Sequence, residues 1–305
     1  MMKIIKSTFK DVPCHRVICG MFTATYLSQY GGKLVSLIDR EHGIEWLAQD
    51  PNESYIPQTI NGNYVESEVS GADEMFPTID PCVCDGVAYP CHGEVCRVKQ
   101  SETTDGESLT IGYRSEKLGF SYEKRISEGK NGEIVCEYHI KNQNQKEFPC
   151  LWALHFMFSA AEGGSVFANT AEDADAELMF DDRKKYGARG TTRKLDKKMM
   201  QSGSYVRGGD AYKFYITQPL AAGICGYYRD AYHGGVRLRY DAKKLPYLGV
   251  WINDGGFKDM YSAAVEPCNI PFDAVTEAKR RGYRFCLAPG ETLTFSVILE
   301  KISKI

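Results

Sequence analysis

No apolar run in this sequence approaches the roughly 20 residues that a membrane-spanning helix needs. A charge surplus is missing as well: 37 Lys and Arg against 40 Asp and Glu leave a net charge of −3 at pH 7. A nucleic-acid binder usually carries a strong basic excess, so that class is excluded on balance. The opening residues, Met1 to Lys10, are interrupted by lysines too early to form a secretory apolar core. The 11 cysteines are odd in number, and their spacing is not that of a disulfide framework in a 305-residue chain. Reduced thiols and a cytoplasmic address are the expectation. There is no Gly-rich phosphate loop, Walker A motif, HExxH or G-x-S-x-G, so phosphate-loop and serine-nucleophile chemistry have no support. There is no fixed-period repeat, linker or low-complexity tract. Ordinary globular usage, 43% hydrophobic and 25% charged, rules out disorder, collagen and coiled coil. These absences predict one domain over 1–305.

What is present is period-two alternation. In Ile134 to Lys141, Cys136, Tyr138 and Ile140 share one face, and Glu137, His139 and Lys141 the other. Val236 to Asp241 and Thr292 to Leu299 alternate in the same way. Glycine, asparagine and aspartate separate such runs, as in Lys130-Asn131-Gly132 and Asp254-Gly255-Gly256. Gly31-Gly32 reads as a turn between two strands. Helical signals are few: the charged, partly periodic Glu172 to Tyr186, and Asp273 to Arg280 with Asp273 as cap and Gly282 just past the end. No βα alternation argues for a parallel sheet. The fold class is all-β, antiparallel, with a few short helices in connections. Periodicity alone does not decide between sandwich and barrel.

Four constellations could carry chemistry. In Tyr89-Pro90-Cys91-His92-Gly93-Glu94 the histidine sits between proline and glycine, hence at a bend, where its ring can meet a ligand or simply face water. In Leu151 to Phe158, His155 is the one clearly polar residue of a run apolar enough to be buried on both faces. It is either a core histidine bonded to a carbonyl or a titrating group with a displaced pKa. In Tyr261 to Asn269, small apolar residues lead into Glu266, whose carboxylate is either surface-exposed at a strand end or desolvated and suited to base chemistry. Cys82, Cys84, Cys91 and Cys96, with His92 among them, offer zinc-ligand types. They lack the two-residue knuckle of zinc ribbons, and Cys82 and Cys84 can be small core residues on one strand face, so no metal is assigned.

Taken in order, these segments resemble the aldose 1-epimerase family, the galactose mutarotase-like proteins, over most of the chain. Tyr30 to Leu37 is similar to its early Gly-Gly hairpin. Gly71 to Pro77 is similar to the segment preceding its first histidine, and Pro90-Cys91-His92-Gly93 to its "HG" motif. Trp152 to Phe158 is similar to the segment of its second histidine. Leu248 to Trp251 and Val265-Glu266-Pro267 are similar to the late strand pair carrying its glutamate. Leu287 to Glu291 is similar to its "PGE" turn. The resemblance implies a large antiparallel β-supersandwich with a sugar on an open sheet face. It implies His155 as general acid toward the ring oxygen, Glu266 as general base toward the anomeric hydroxyl, and His92 as a sugar-holding group. The reaction would interconvert α and β anomers of a hexose or related sugar, and it requires no cofactor or metal.

The sequence departs from the family where ligand contacts are expected. Ala72-Asp73-Glu74-Met75 holds no arginine, and Glu74 is the candidate sugar contact there, or a solvated loop carboxylate. Arg97 stands five residues after His92 rather than four, so a regular strand would turn it away and a bulge would bring it back. Asp254 and Asp259 are the candidates for the family's sugar-binding aspartate. Trp251 is either a sugar platform or core. The expected partner is therefore a small-molecule sugar, with neither nucleic acid nor membrane involved. The competing reading is a carbohydrate-binding protein on the same fold without turnover.

Overall fold

The computed structural model describes residues 2–203 and 209–304. Two large antiparallel sheets, of eleven and nine strands among the described residues, face each other. The alternation seen in the sequence is what builds them. Ile134–Asn142 buries Cys136, Tyr138 and Ile140 against the opposing sheet and turns Glu137, His139 and Lys141 outward. Thr292–Ile302 pairs with it, and Gly234–Tyr240 pairs with Thr292–Ile302 in turn. The buried faces meet in an aromatic core, in which Trp152 lies 5.1 Å from Tyr138 and 4.6 Å from Phe295 between ring centroids. Burying each such ring removes enough apolar surface to contribute on the order of 2–3 kcal/mol.

The eleven-stranded sheet carries the site. Its middle strands run, side by side, Ala72–Met75, Ala153–Ser159, Tyr261–Cys268, Tyr247–Asp254, Ala211–Ile216 and Asp175–Asp181. One face packs on the nine-stranded sheet, and the other opens to a cavity.

Helix is scarce, as expected, but its placement differs from the sequence reading. Glu172 to Tyr186 contains the strand Asp175–Asp181, paired on one side with Thr192–Lys194 and on the other with Ala211–Ile216. Pairing on both edges overrides a local charge pattern that suits a helix. The helix near Asp273 spans Val275–Arg280, with Ala274 at the cap position and no side-chain cap. Asp273 does not cap it, because its carboxylate is taken by Lys213 and Tyr215. No helix of the described residues is long and apolar enough to cross a membrane.

Candidate active site

Register assembles the site. His155 stands opposite Asp73 on one side. The pairs Ala153↔Cys268 and Phe156↔Val265 set it beside Glu266 on the other. Glu266 in turn faces Gly249, and Gly249 faces Tyr215. One transverse row of the sheet thus reads Asp73, His155, Glu266, Gly249, Tyr215. Two residues further along the strands, on the same face, a second row reads Met157, Ala264, Trp251, Lys213, Phe180. From these rows His155, Glu266, Met157, Trp251, Lys213 and Phe180 line a cavity of about 350 Å³, together with Tyr64, His92, Asp80 and Asp273.

The centre is a carboxylate gripped on one side only. Glu266 is fully buried, and its Oε2 accepts from Lys213 Nζ at 2.7 Å. Its Oε1 has no hydrogen-bond partner among the described residues and lies 3.7 Å from His155 Nε2. Lys213 also reaches Asp273 Oδ1 at 2.8 Å, which accepts from the Tyr215 hydroxyl at 2.9 Å. Burial alone would lower the Lys213 pKa, but Asp273 and Glu266 outweigh it and hold the ammonium well above its ordinary range. Gly249 leaves the room for this arrangement. A Cβ there would sit 3.0 Å from the Tyr215 ring and 3.1 Å from the Glu266 side chain.

His155 is pushed below its ordinary pKa mainly by burial. Glu266 opposes the shift and the Lys213 cation adds to it. His92 is driven well below its ordinary value, by burial first and then by His155, so it is neutral at physiological pH. Its backbone is left-handed, at φ 59°. Its ring stacks on Tyr64 at 3.7 Å between centroids and 3° between planes, and its Nδ1 lies 3.0 Å from Cys91 Sγ. Gly93 must be glycine: φ is +71°, and a Cβ would meet the Phe76 carbonyl oxygen at 2.1 Å.

Four candidates lie elsewhere. Glu74 alternates away from Asp73 into the space between the sheets, where its Oε1 accepts from Lys124 at 2.7 Å and from the Tyr138 hydroxyl at 3.0 Å. It cannot touch a ligand in the cavity. Arg97 is on neither a regular strand nor a bulge but on a 3-10 turn, Val95–Arg97. Its guanidinium donates to the carbonyls of Thr59 at 2.6 Å and Gly62 at 2.9 Å. It fixes the turn that leads to Tyr64, and so acts on His92 at one remove. Asp254 points its Oδ1 at the backbone N–H of Gly203, at 2.7 Å, outside the cavity that holds His155. Asp259 is exposed in the following loop. His92, His155, Glu266 and Trp251 do line one cavity.

The sequence reading missed Lys213, Asp273 and Asp73. Lys213 had a visible signal, since it is the one charge in the apolar run Ala211 to Ile216, the pattern that singled out His155. Asp73 is buried beneath Tyr64, whose hydroxyl donates to Asp73 Oδ2 at 2.7 Å, and forms an ion pair with Lys33. Period two allows only one of Asp73 and Glu74 on the site face, and Met75, which lines the cavity, selects Asp73. Among the described residues, the side chains able to gather around a metal are Asp39, Glu41 and His42, not the cysteine segment. Both of those carboxylates already bind Lys301.

No protein-family model matches the chain, and no curated protein matches it in sequence. Solved structures do match. A Klebsiella pneumoniae protein provisionally named an aldose 1-epimerase superposes with a TM-score of 0.74 at 15% identity, over 95% of this chain and 79% of its own. A galactose mutarotase-like protein of Clostridium acetobutylicum gives 0.66 at 14% identity, over 99% and 98%. One from Lactobacillus casei gives 0.60 at 15%, over 98% and 100%. The chain therefore has the galactose mutarotase-like β-supersandwich fold that its sequence segments resemble.

Proposed function

We propose that the protein is an aldose 1-epimerase-like isomerase acting on a neutral sugar. The observation that carries this reading is the free Oε1 of Glu266, buried and 3.7 Å from His155 Nε2. Mutarotation needs a base at the anomeric hydroxyl and an acid at the ring oxygen, and both oxygens are bonded to the same carbon. The two catalytic groups must therefore be near neighbours, as these are. Glu266 Oε1 takes the hydroxyl proton, and His155 gives a proton to the ring oxygen. The C1–O bond of the ring breaks and C1 becomes a carbonyl. Rotation about C1–C2 presents the other carbonyl face, and closure returns both protons. Each positioned group typically contributes about 10²–10⁴-fold.

Charge balance favours a neutral sugar over a phosphorylated one. The cavity is lined by three cations, Arg189, Lys213 and Lys258, and three carboxylates, Asp80, Glu266 and Asp273. Arg189 is held by Glu277 at 2.7 Å, and Lys258 by Asp50, so neither stands ready for a phosphate.

The test is saturation-transfer NMR exchange between α and β anomers across free and phosphorylated aldoses. Acceleration of a free aldose supports the reading. Binding without acceleration defeats it in favour of a carbohydrate-binding protein. The pH profile is a second expected outcome. His155 must carry its proton to act as the acid, and its pKa is lowered, so kcat/KM falls with rising pH along a limb lying below 6.5. A limb above pH 7 contradicts the assignment of His155.

A further inference from the structure

Among the described residues, the half of the cavity beyond the catalytic row is walled mainly by apolar side chains. Its walls are Met157, Met179, Phe180, Trp251, Phe257 and Met260. Apart from the Trp251 indole N–H, the polar side chains Asn253, Lys258 and Lys213 are engaged within the protein, Lys213 by Glu266 and Asp273. The Asn253 amide donates to the Phe257 carbonyl at 3.0 Å, and its oxygen accepts from the Phe257 N–H at 3.0 Å. Lys258 Nζ donates to Asp50 Oδ2 at 2.5 Å and to the Ser67 carbonyl at 2.8 Å. His92 and Asp80, which also line the cavity, remain as partners for hydroxyls.

The dimensions bring a sugar onto this wall. The second row begins one two-residue step from His155 and Glu266, roughly 6.6 Å along the strands. That is about the width of a pyranose ring. A sugar whose anomeric carbon lies between His155 and Glu266 then rests its remote carbons on Trp251 and its neighbours. A hydroxyl placed against the methionine and phenylalanine side chains leaves water and finds no replacement bond, at a cost of about 1–3 kcal/mol.

We infer that the site takes an aldose deoxygenated at the end of the ring remote from C1, a deoxy sugar with a methyl or methylene where a common hexose carries a hydroxymethyl or hydroxyl. This rests on the reading of the site as an aldose site. It adds to that reading a substrate class, selected by the apolar wall.

The experiment compares matched pairs on the whole protein: glucose with 6-deoxyglucose and with 4-deoxyglucose, and galactose with 6-deoxygalactose. Anomer exchange and binding by calorimetry are measured on each. The expected result is a kcat/KM for at least one deoxy member about 5- to 100-fold above its parent, the equivalent of that desolvation cost. Phe257→Gln, which places an amide on the wall, should narrow the ratio toward one. Parents that equal or exceed every deoxy partner overturn the inference and leave the isomerase reading standing. Tighter binding of a deoxy sugar without exchange supports the substrate class and defeats the isomerase reading. Absence of both exchange and binding for every sugar overturns both.

Discussion

Glu266→Gln lowers kcat/KM for anomer exchange by about 10²–10⁴-fold, the range typical of a lost general base. The amide is isosteric, but its oxygen cannot take the anomeric proton at neutral pH. The fold should survive. The carbonyl of the introduced amide can still accept from Lys213, and Lys213 keeps its Asp273 partner at 2.8 Å. Urea denaturation of the same variant separates lost chemistry from lost structure. A stability change within about 1–2 kcal/mol alongside the rate loss is the expected pairing, since the change removes one charge from a network that otherwise remains. An active Glu266→Gln protein removes Glu266 from the mechanism.

Lys213→Met has the largest expected effect on stability, about 3–5 kcal/mol, the typical cost of removing one member of a buried ion pair. Glu266 Oε2 and Asp273 Oδ1 both contact this one ammonium. Without it, two neighbouring buried carboxylates have no cation between them, and protonation becomes their cheapest relief. The deficit should therefore shrink as pH falls, because acid supplies the protons that the variant's folded state binds more tightly than its unfolded state. Activity should fall too, since a protonated Glu266 is no base. Urea midpoints at pH 5 and pH 8 check the first part. A deficit that is equal at both, or absent, removes Lys213 from the role of counter-ion.

Much of the sheet content was legible because alternation at period two is a strong signal where one face is buried. Ile134–Asn142 and Thr292–Ile302 illustrate this. The Glu172 to Tyr186 stretch was not legible, because neighbouring strands, rather than its own charges, decide its conformation. In the site, His155 and Glu266 stood out as single polar residues in apolar surroundings. That is the situation that lends chemistry to a side chain and also makes it conspicuous. Glu74 misled because a local motif does not say which of two adjacent carboxylates turns toward the cavity. The register with His155 does, and it selects Asp73. Asp254 misled for a similar reason: its neighbour Asn253 faces the cavity wall, and alternation sends Asp254 the other way. Arg97 could not be placed by counting residues from His92, since the intervening chain folds into a 3-10 turn rather than a strand. The partnership of Lys213 with Glu266 spans 53 residues and arises only when their strands lie two apart in one sheet.

The central claim is that Glu266 and His155 act together on two oxygens of one carbon. A double-mutant cycle on anomer exchange, using Glu266→Gln, His155→Ala and the pair, tests it most directly. Groups that serve one concerted proton exchange are strongly non-additive, so the double variant should be little slower than the slower single variant. Independent losses that multiply in the double variant, or a single variant that keeps wild-type exchange, would contradict the account.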